Sequence, residues 1–293
     1  MSVTLTAARG PRRAEKLAYL AYQIRRSPLT MAGLLITSIV LLCMIFAPWL
    51  ASHDPNALNL GERLAPPSAD HWFGTDEVGR DLFSRVLFGS QQSVGVGLFV
   101  AFASCFIGGL LGCFSGVIGG RFDAFIMRLM DIMLSVPSLV LIMALAAALG
   151  ASLFNAMLAI TLVRIPSYVR LARGQALSIR QMGYVKAAHT FGAGRWHVVH
   201  WHVARNAMPP LLVQLSLDIG SAILMASALG FIGLGAQQPT AEWGAMVATG
   251  RNYILYNWWY STFPGMAILI TATGFNLLGD GVRDLLDPRQ QGK

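Results

Sequence analysis

"YVKAAHTFGAGRWHVVHWHVARNAMPP", residues 184–210, interrupts a chain that is otherwise greasy and poor in charge. It is basic, it holds four of the protein's six histidines, and it places Gly192 and Gly194 two residues apart. Hydrophobic runs flank it on both sides. Its two halves read as helices: Tyr184 to Phe191, a break at the glycines, then Arg195 to Ala204 with Trp196, Val199 and Val203 along one face. The product is a helix–turn–helix held between two apolar segments.

The surrounding composition decides what such an insert can be. Hydrophobic residues make up 55% of the 293 and charged residues only 12%. Soluble domains carry roughly 25% charged residues, so this chain belongs to the membrane class. A spanning helix needs about 20 mainly apolar residues. Six segments qualify, at about Leu29–Leu50, Ser93–Gly119, Asp131–Leu149, Leu153–Val169, Leu211–Leu234 and Thr262–Leu278. The fourth is the weakest, because Arg164 and Pro166 fall near its end. The first apolar run is too long, and the basic leader before it too extended, for a cleavable signal peptide. Cys43, Cys105 and Cys113 lie inside apolar runs with no metal-ligand spacing and read as small buried hydrophobes.

Six spans place both termini on one side, and the positive-inside rule says which. With a cytoplasmic N-terminus, 18 Lys and Arg lie inside, in the N-tail, the 120–130 loop, the 164–208 segment and the C-tail. Only Arg63, Arg80, Arg85 and Arg251 lie outside. The same asymmetry explains a net charge of +8 without nucleic acid. Residues 184–210 are then cytoplasmic, and the acidic, Pro-rich 51–90 loop faces the exterior.

Three chemistries compete for the insert. A DNA-reading helix–turn–helix is set aside, because topology alone demands the positive charge. A metal site on His197, His200 and His202 fails on geometry: His202 lies roughly 200° round the helix from His200, and no acid or cysteine is near to complete a shell. The remaining reading is a docking element for a cytoplasmic partner, with surface aromatics as anchors.

The residues "KAAHTFGAGRWHVVHWHVARNAMPP" resemble the cytoplasmic "EAA" loop of ATP-binding-cassette importer permeases. Lys186-Ala187-Ala188 stands where that motif has Glu-Ala-Ala, Gly192 matches its loop glycine, and Asn206, Pro209 and Pro210 match the tail of the peptide branch. The family's usual Leu-Pro pair falls on Ala204-Arg205. Further stretches are similar to dipeptide, oligopeptide and nickel permeases: "HWFGTDEVGRDLFSR" (71–85), "DIMLSVPSLVL" (131–141), "GFIGLGAQQPTAEWGAMV" (230–247) and "GDGVRDLLDP" (279–288). "APWLASHDPNA", "RIPSYVRLARGQAL" and "LDIGSAILMASALGFIGLGAQQP" resemble the second permease subunit of the D,D-dipeptide branch, whose substrate class is D-alanyl-D-alanine.

The resemblance implies an all-α, multi-pass protein of the bacterial cytoplasmic (inner) membrane, with six transmembrane helices and the fold of a type I importer permease. Both termini would be cytoplasmic. Residues 1–90 would form an N-terminal unit and residues 91–293 the core permease domain, with a coupling loop at about 180–205. It implies that Lys186, Ala187, Ala188, Phe191, Gly192, Gly194 and Trp196 seat in a groove of the ATPase. The implied partners are a second permease subunit in a heterodimer, cytoplasmic ATP-binding subunits, an extracytoplasmic peptide-binding protein and membrane lipid. Other di- or oligopeptides and nickel are the alternative cargoes.

The residues themselves agree that energy must come from elsewhere: the chain has no G-x-x-x-x-G-K-[ST] to cradle phosphates. No cofactor, metal ligand set or catalytic residue is expected. An intramembrane enzyme would need a nucleophile with a base, or metal ligands, and the spans offer Ser, Thr and one Asp but no His. A proton-coupled carrier would rely on Asp218, the one acid well inside a span. Ionisable groups there are costly and often functional, so Asp218 is a candidate for the substrate path, with Ser221 at i+3 as its hydrogen-bond partner. In the outer segments, Gln237, Gln238, Glu242 and Trp243 read as a capping loop that can also touch incoming ligand. Asp76, Glu77, Arg80 and Asp81 read as internal pairs that fold the external loop. Gly108, Gly112 and Gly116 make overlapping G-x-x-x-G steps for packing against another span or the partner permease.

Overall fold

The structure, a computed structural model, describes residues 27–286. The basic N-tail and the last residues of the "GDGVRDLLDP" motif lie outside the described residues. Ten α-helices follow one another among the described residues: α1 (Pro28–Leu50), α2 (Leu82–Ile118), α3 (Gly120–Leu134), α4 (Ser138–Leu149), α5 (Leu153–Ile179), α6 (Gly183–Thr190), the single turn α7 (Arg195–His197), α8 (Arg205–Ile232), α9 (Trp243–Gly250) and α10 (Trp259–Leu286).

Local chemistry sets most helix ends. Ser27 accepts from the backbone N–H of Thr30 and Pro28 follows at the first helical position, so α1 starts where its orphan donors are met. Asp81 accepts from Ser84 N–H at 2.8 Å and starts α2. Ser152 does the same for α5, and Glu242 caps α9 through Gly244 and Ala245. At the C-ends, Gly119, Gly150 and Gly233 turn the chain with φ of 67°, 93° and 88°.

Among the described residues, four helical stretches are long and apolar enough to cross a membrane: α1, α2, Val198–Ile232 and α10. The expected third span, Asp131–Leu149, is not one helix. It breaks between α3 and α4 with a 93° bend, and the two arms together would make a fifth crossing. The cause is Pro137, which cannot donate to the ladder and forces the preceding residue out of the helical region. α5 has the length to span, but Arg164, Arg170 and Arg173 lower its apolarity. The expected second span also starts earlier, at Leu82, since Asp81 caps it ahead of the apolar run.

The G-x-x-x-G steps of α2 face α5 of the same chain. A Cβ at Gly108 would meet Tyr168 Cβ at 2.6 Å, one at Gly112 would meet Val169 O at 2.4 Å, and one at Gly116 would meet Ala176 Cβ at 2.6 Å. Three missing side chains, one per turn, therefore set how closely the two helices approach. α10 packs on α1 and α8 on its other side, and large apolar side chains of α1 such as Leu35, Ile45 and Trp49 are left exposed.

The segment between α1 and α2 folds as a compact cap at the N-terminal end of α2. Asp76 is fully buried. It accepts from Arg80 N–H at 2.9 Å and Arg80 Nε at 2.5 Å, and Arg85 Nε stands 3.6 Å away. Arg85 donates onward to the carbonyls of Pro55 and Pro239, and Arg80 to Gln238 Oε1 at 3.0 Å. Glu77 takes the Tyr260 hydroxyl. The acidic motif is thus a set of internal pairs that also ties the cap to the α8–α9 loop and to α10. Burial works against charge on the His71 ring, but its bonds to Asp81 and Glu62 prevail and hold its pKa above 6.5.

Candidate functional site

Residues 183–204 sit at the opposite end of α2 from the cap. Val185 is fully buried and packs with Val198, Val199 and Val203 against Cys113 and Val117 of α2 and Tyr168, Ala172 and Ala176 of α5. Two short helical arms have little stability alone; this shared core is what holds them in place. Tyr184 adds a hydroxyl 3.2 Å from Asn206 Nδ2, which also donates to His202 O at 2.5 Å.

The turn is a Schellman-type stop. Ala193 N–H donates to Ala188 O at 3.0 Å, and Gly192 lies between them with φ of 87°. Nothing lies within 4 Å of a Cβ placed on Gly192 or Gly194, so Gly192 is required by its backbone conformation and not by crowding inside this chain, and Gly194 by neither. The second arm departs from expectation. It begins as α7, widens into a π-helix over Val198–Ala204, and runs without a break into α8. No glycine or proline stands at the junction to stop it; Pro209 and Pro210 come one turn too late and are absorbed into α8.

The outward surface is aromatic. Phe191 is 90% exposed, and Trp196 is 69% exposed although its ring stacks on Phe114 at 5.0 Å. Lys186 and Ala187 are exposed and Ala188 is half-buried. Ala188, Phe191, Gly192, Ala193, Gly194 and His197 line a shallow concavity. Of the sequence-selected loop residues, Ala188, Phe191, Gly192 and Gly194 line this concavity, while Lys186, Ala187 and Trp196 are exposed outside it.

The second candidate, Asp218, has a partner that the sequence reading overlooked. Arg164 of α5 places NH1 3.4 Å from Asp218 Oδ1 and NH2 2.8 Å from Ser221 Oγ, while Gln214 Nε2 lies 3.2 Å from the same Oδ1. Ser221 does not bond the carboxylate, as had been expected. Its hydroxyl donates to the Asp218 backbone carbonyl at 3.0 Å, because at i+3 on a helix that carbonyl is the nearer acceptor. Arg164 is consequently not part of a cytoplasmic loop; it lies mid-helix and neutralises a buried acid. Asp218 Oδ2 and the Tyr168 hydroxyl are buried without a hydrogen-bond partner. Among the outer residues, Glu242 and Trp243 are buried and serve the fold, Glu242 as a cap and Trp243 through Nε1–H to Val86 O at 2.9 Å. Gln237 and Gln238 stay exposed.

Comparison with known proteins bears on both features. Residues 108–292, which include the loop and Asp218, match the family described as binding-protein-dependent transport system inner membrane component. Residues 18–67 match the N-terminal TM domain of oligopeptide transport permease C. The chain is 71% identical over 276 residues to the probable D,D-dipeptide transport system permease protein DdpC of Escherichia coli (strain K12), covering 94% of this chain and 93% of that one. It is 42% identical to the dipeptide transport system permease protein DppC of Alkalihalophilus pseudofirmus, over 92% of this chain and 88% of the relative. With the oligopeptide transport system permease protein OppC of Bacillus subtilis it shares 39% identity over 91% of this chain and 88% of the relative. An all-helical chain with several apolar spans, an aromatic loop at one end and this likeness along nearly its whole length belongs to the inner-membrane permease family of binding-protein-dependent peptide transport systems.

Proposed function

We propose that this permease forms half of an ATP-driven import path for D,D-dipeptides such as D-alanyl-D-alanine. The cargo is supported by the high identity to a permease whose name carries it. The mechanism is supported by one observation above all: a well-anchored loop that leaves Phe191 and Trp196 exposed. Exposed aromatics around a concavity suit a protein partner. In this reading Lys186, Ala187, Ala188, Phe191, Gly192, Gly194 and Trp196 meet a cytoplasmic ATPase. A second permease subunit completes the path, and an extracytoplasmic binding protein delivers cargo at the cap end. Both termini are cytoplasmic. In this reading the N-terminal unit of residues 1–90 includes α1 and its cap, and its limit falls inside α2.

The loop shares its core with the ends of α2, α5 and α8, so movement imposed on it passes to packed helices as rigid bodies. Asp218, Arg164 and Ser221 lie along that path. Asp218 Oδ2, the buried acceptor without a partner, is the group that a peptide ammonium would meet once the helices part.

Uptake of labelled D-Ala-D-Ala tests the cargo. A strain lacking this gene and any duplicate system is expected to lose uptake and regain it on complementation. Unchanged uptake of D-Ala-D-Ala with lost uptake of L-dipeptides or nickel would reassign the cargo. Reconstituted transport driven by a proton gradient without the ATPase would replace the mechanism with that of a carrier.

Gly192→Val tests the loop. A β-branched residue at φ of 87° is strained by about 1–2 kcal/mol. That strain lies outside the spans, so membrane insertion is expected to survive. Co-purification with the ATPase is expected to fall about tenfold, which corresponds to roughly 1.4 kcal/mol. Gly192→Asn, which tolerates the left-handed region, is expected to keep most of the binding. Equal uptake by Gly192→Val and the parent would remove the loop from the coupling step.

A further inference from the structure

A cluster of metal-ligating side chains lies in the cap, far from the loop and from Asp218. His53 follows the end of α1, His71 lies midway through the cap, and Asp81 caps α2. One potential ligand atom from each falls within 4.8 Å of the other two. His71 Nδ1 is 2.8 Å from Asp81 Oδ1, and His53 Nδ1 is 4.0 Å from the same oxygen. The two imidazole rings stand 4.8 Å apart, tilted by 36°. Ligand atoms round a tetrahedral zinc, with bonds of about 2.0–2.2 Å, are roughly 3.3 Å from one another. To reach that spacing, His71 Nδ1 and Asp81 Oδ1 would open from 2.8 Å and His53 Nδ1 would close on Asp81 Oδ1 from 4.0 Å.

The surroundings resemble a metal site's second layer. Glu62 Oε2 lies 3.2 Å from His71 Nε2, so the ring can donate that hydrogen to a carboxylate while Nδ1 faces the cluster. Carboxylates in this position fix the tautomer and orientation of ligating histidines. Asp81 spends Oδ2 on the Ser84 N–H at 2.8 Å, with Ser52 Oγ at 3.5 Å, and keeps Oδ1 for the cluster. Ser84 Oγ in turn accepts from His53 N–H at 3.1 Å and holds that residue beside the pair. Ser52 Oγ is 3.1 Å from His53 Nδ1 and would have to yield this nitrogen. His71 and Asp81 are buried, whereas the His53 side chain is 43% exposed, which gives the cluster solvent access on that side.

We propose that His53, His71 and Asp81 bind one zinc-class divalent cation, with water as the fourth ligand and Glu62 orienting His71. Two imidazoles and one carboxylate select zinc, cobalt or nickel over calcium or magnesium. The ion would join the chain leaving α1, the middle of the cap and the first turn of α2. It would be a structural staple in a segment that has no cysteine.

The test uses the full-length permease, purified without a histidine tag in detergent, with His197, His200 and His202 changed to Asn to remove surface background. Cobalt(II) is titrated and its visible d–d band recorded. One equivalent is expected to bind with a four-coordinate spectrum, to be displaced by zinc, and to raise the unfolding temperature. His53→Ala is expected to weaken cobalt binding at least about 100-fold without changing metal-free stability, and Glu62→Gln about 10–100-fold. His53→Ala is the decisive variant, because its exposed ring is the ligand least needed for folding. No stoichiometric band, or a band unchanged in His53→Ala, would overturn the proposal and leave His71 and Asp81 as a hydrogen-bonded pair only.

Discussion

Arg164→Ala is expected to lower the stability of the permease by about 3 kcal/mol, because it leaves a buried carboxylate without its cation. Asp218 is 5% exposed, and beyond Arg164 its carboxylate has only Gln214 at 3.2 Å. In detergent the variant should unfold at a lower temperature and give less monodisperse protein. Removing both charges separates the causes. Replacing Arg164 and Asp218 together by Leu removes the unpaired charge, and buried ion pairs replaced in this way are often neutral or stabilising. The double variant is therefore expected to recover most of the stability, giving a large coupling energy in a double-mutant cycle. If the pair lines the substrate path, the same double variant should insert well and still fail to transport. Parental stability in Arg164→Ala would show that the contact, 3.4 Å in this structure, is not maintained. Parental uptake in the stable double variant would confine the pair to folding.

Gly112→Leu is expected to be more damaging still, and to act before function is reached. A Cβ at this position already falls 2.4 Å from Val169 O and 2.7 Å from Ala172 Cβ. A carbonyl inside α5 cannot move aside without breaking its helix, so α2 and α5 must separate. Overpacking of this kind costs typically 1–3 kcal/mol for small increments; Gly112→Ala should fall in that range, and Leu should leave no folded permease. Gly95 is the internal control. It lies on the same helix with nothing within 4 Å of its Cβ position, so Gly95→Ala should keep the parental yield and unfolding temperature. Equal yields from Gly112→Leu and the parent would mean that the close approach of α2 and α5 is dispensable.

The membrane class, the helical loop and its turn were legible in the sequence because each is encoded by neighbours. Apolar runs report spans, and Gly192 reports a turn whose φ proves to be 87°. The caps Ser27, Asp81 and Ser152 are equally local but were not used to set the expected spans, and α2 therefore starts ahead of its own. The break at Pro137 was also written locally. It was passed over because an apolar window averages across a proline that the backbone cannot ignore. The junction of the second loop arm with α8 was misread for the opposite reason: with no glycine or proline between Ala204 and Met208, nothing ends the helix.

What the tertiary structure alone decided are pairings between distant residues. Arg164 meets Asp218 across 54 positions, Trp196 stacks on Phe114, and Gly108, Gly112 and Gly116 of α2 find α5. His53, His71 and Asp81 come together only because α1 and α2 deliver the two ends of the cap to one place. Residue type and spacing along a chain constrain what each helix can bury. They do not say which other helix will supply the charge, the ring or the backbone that it is buried against, because that depends on how packed helices cross.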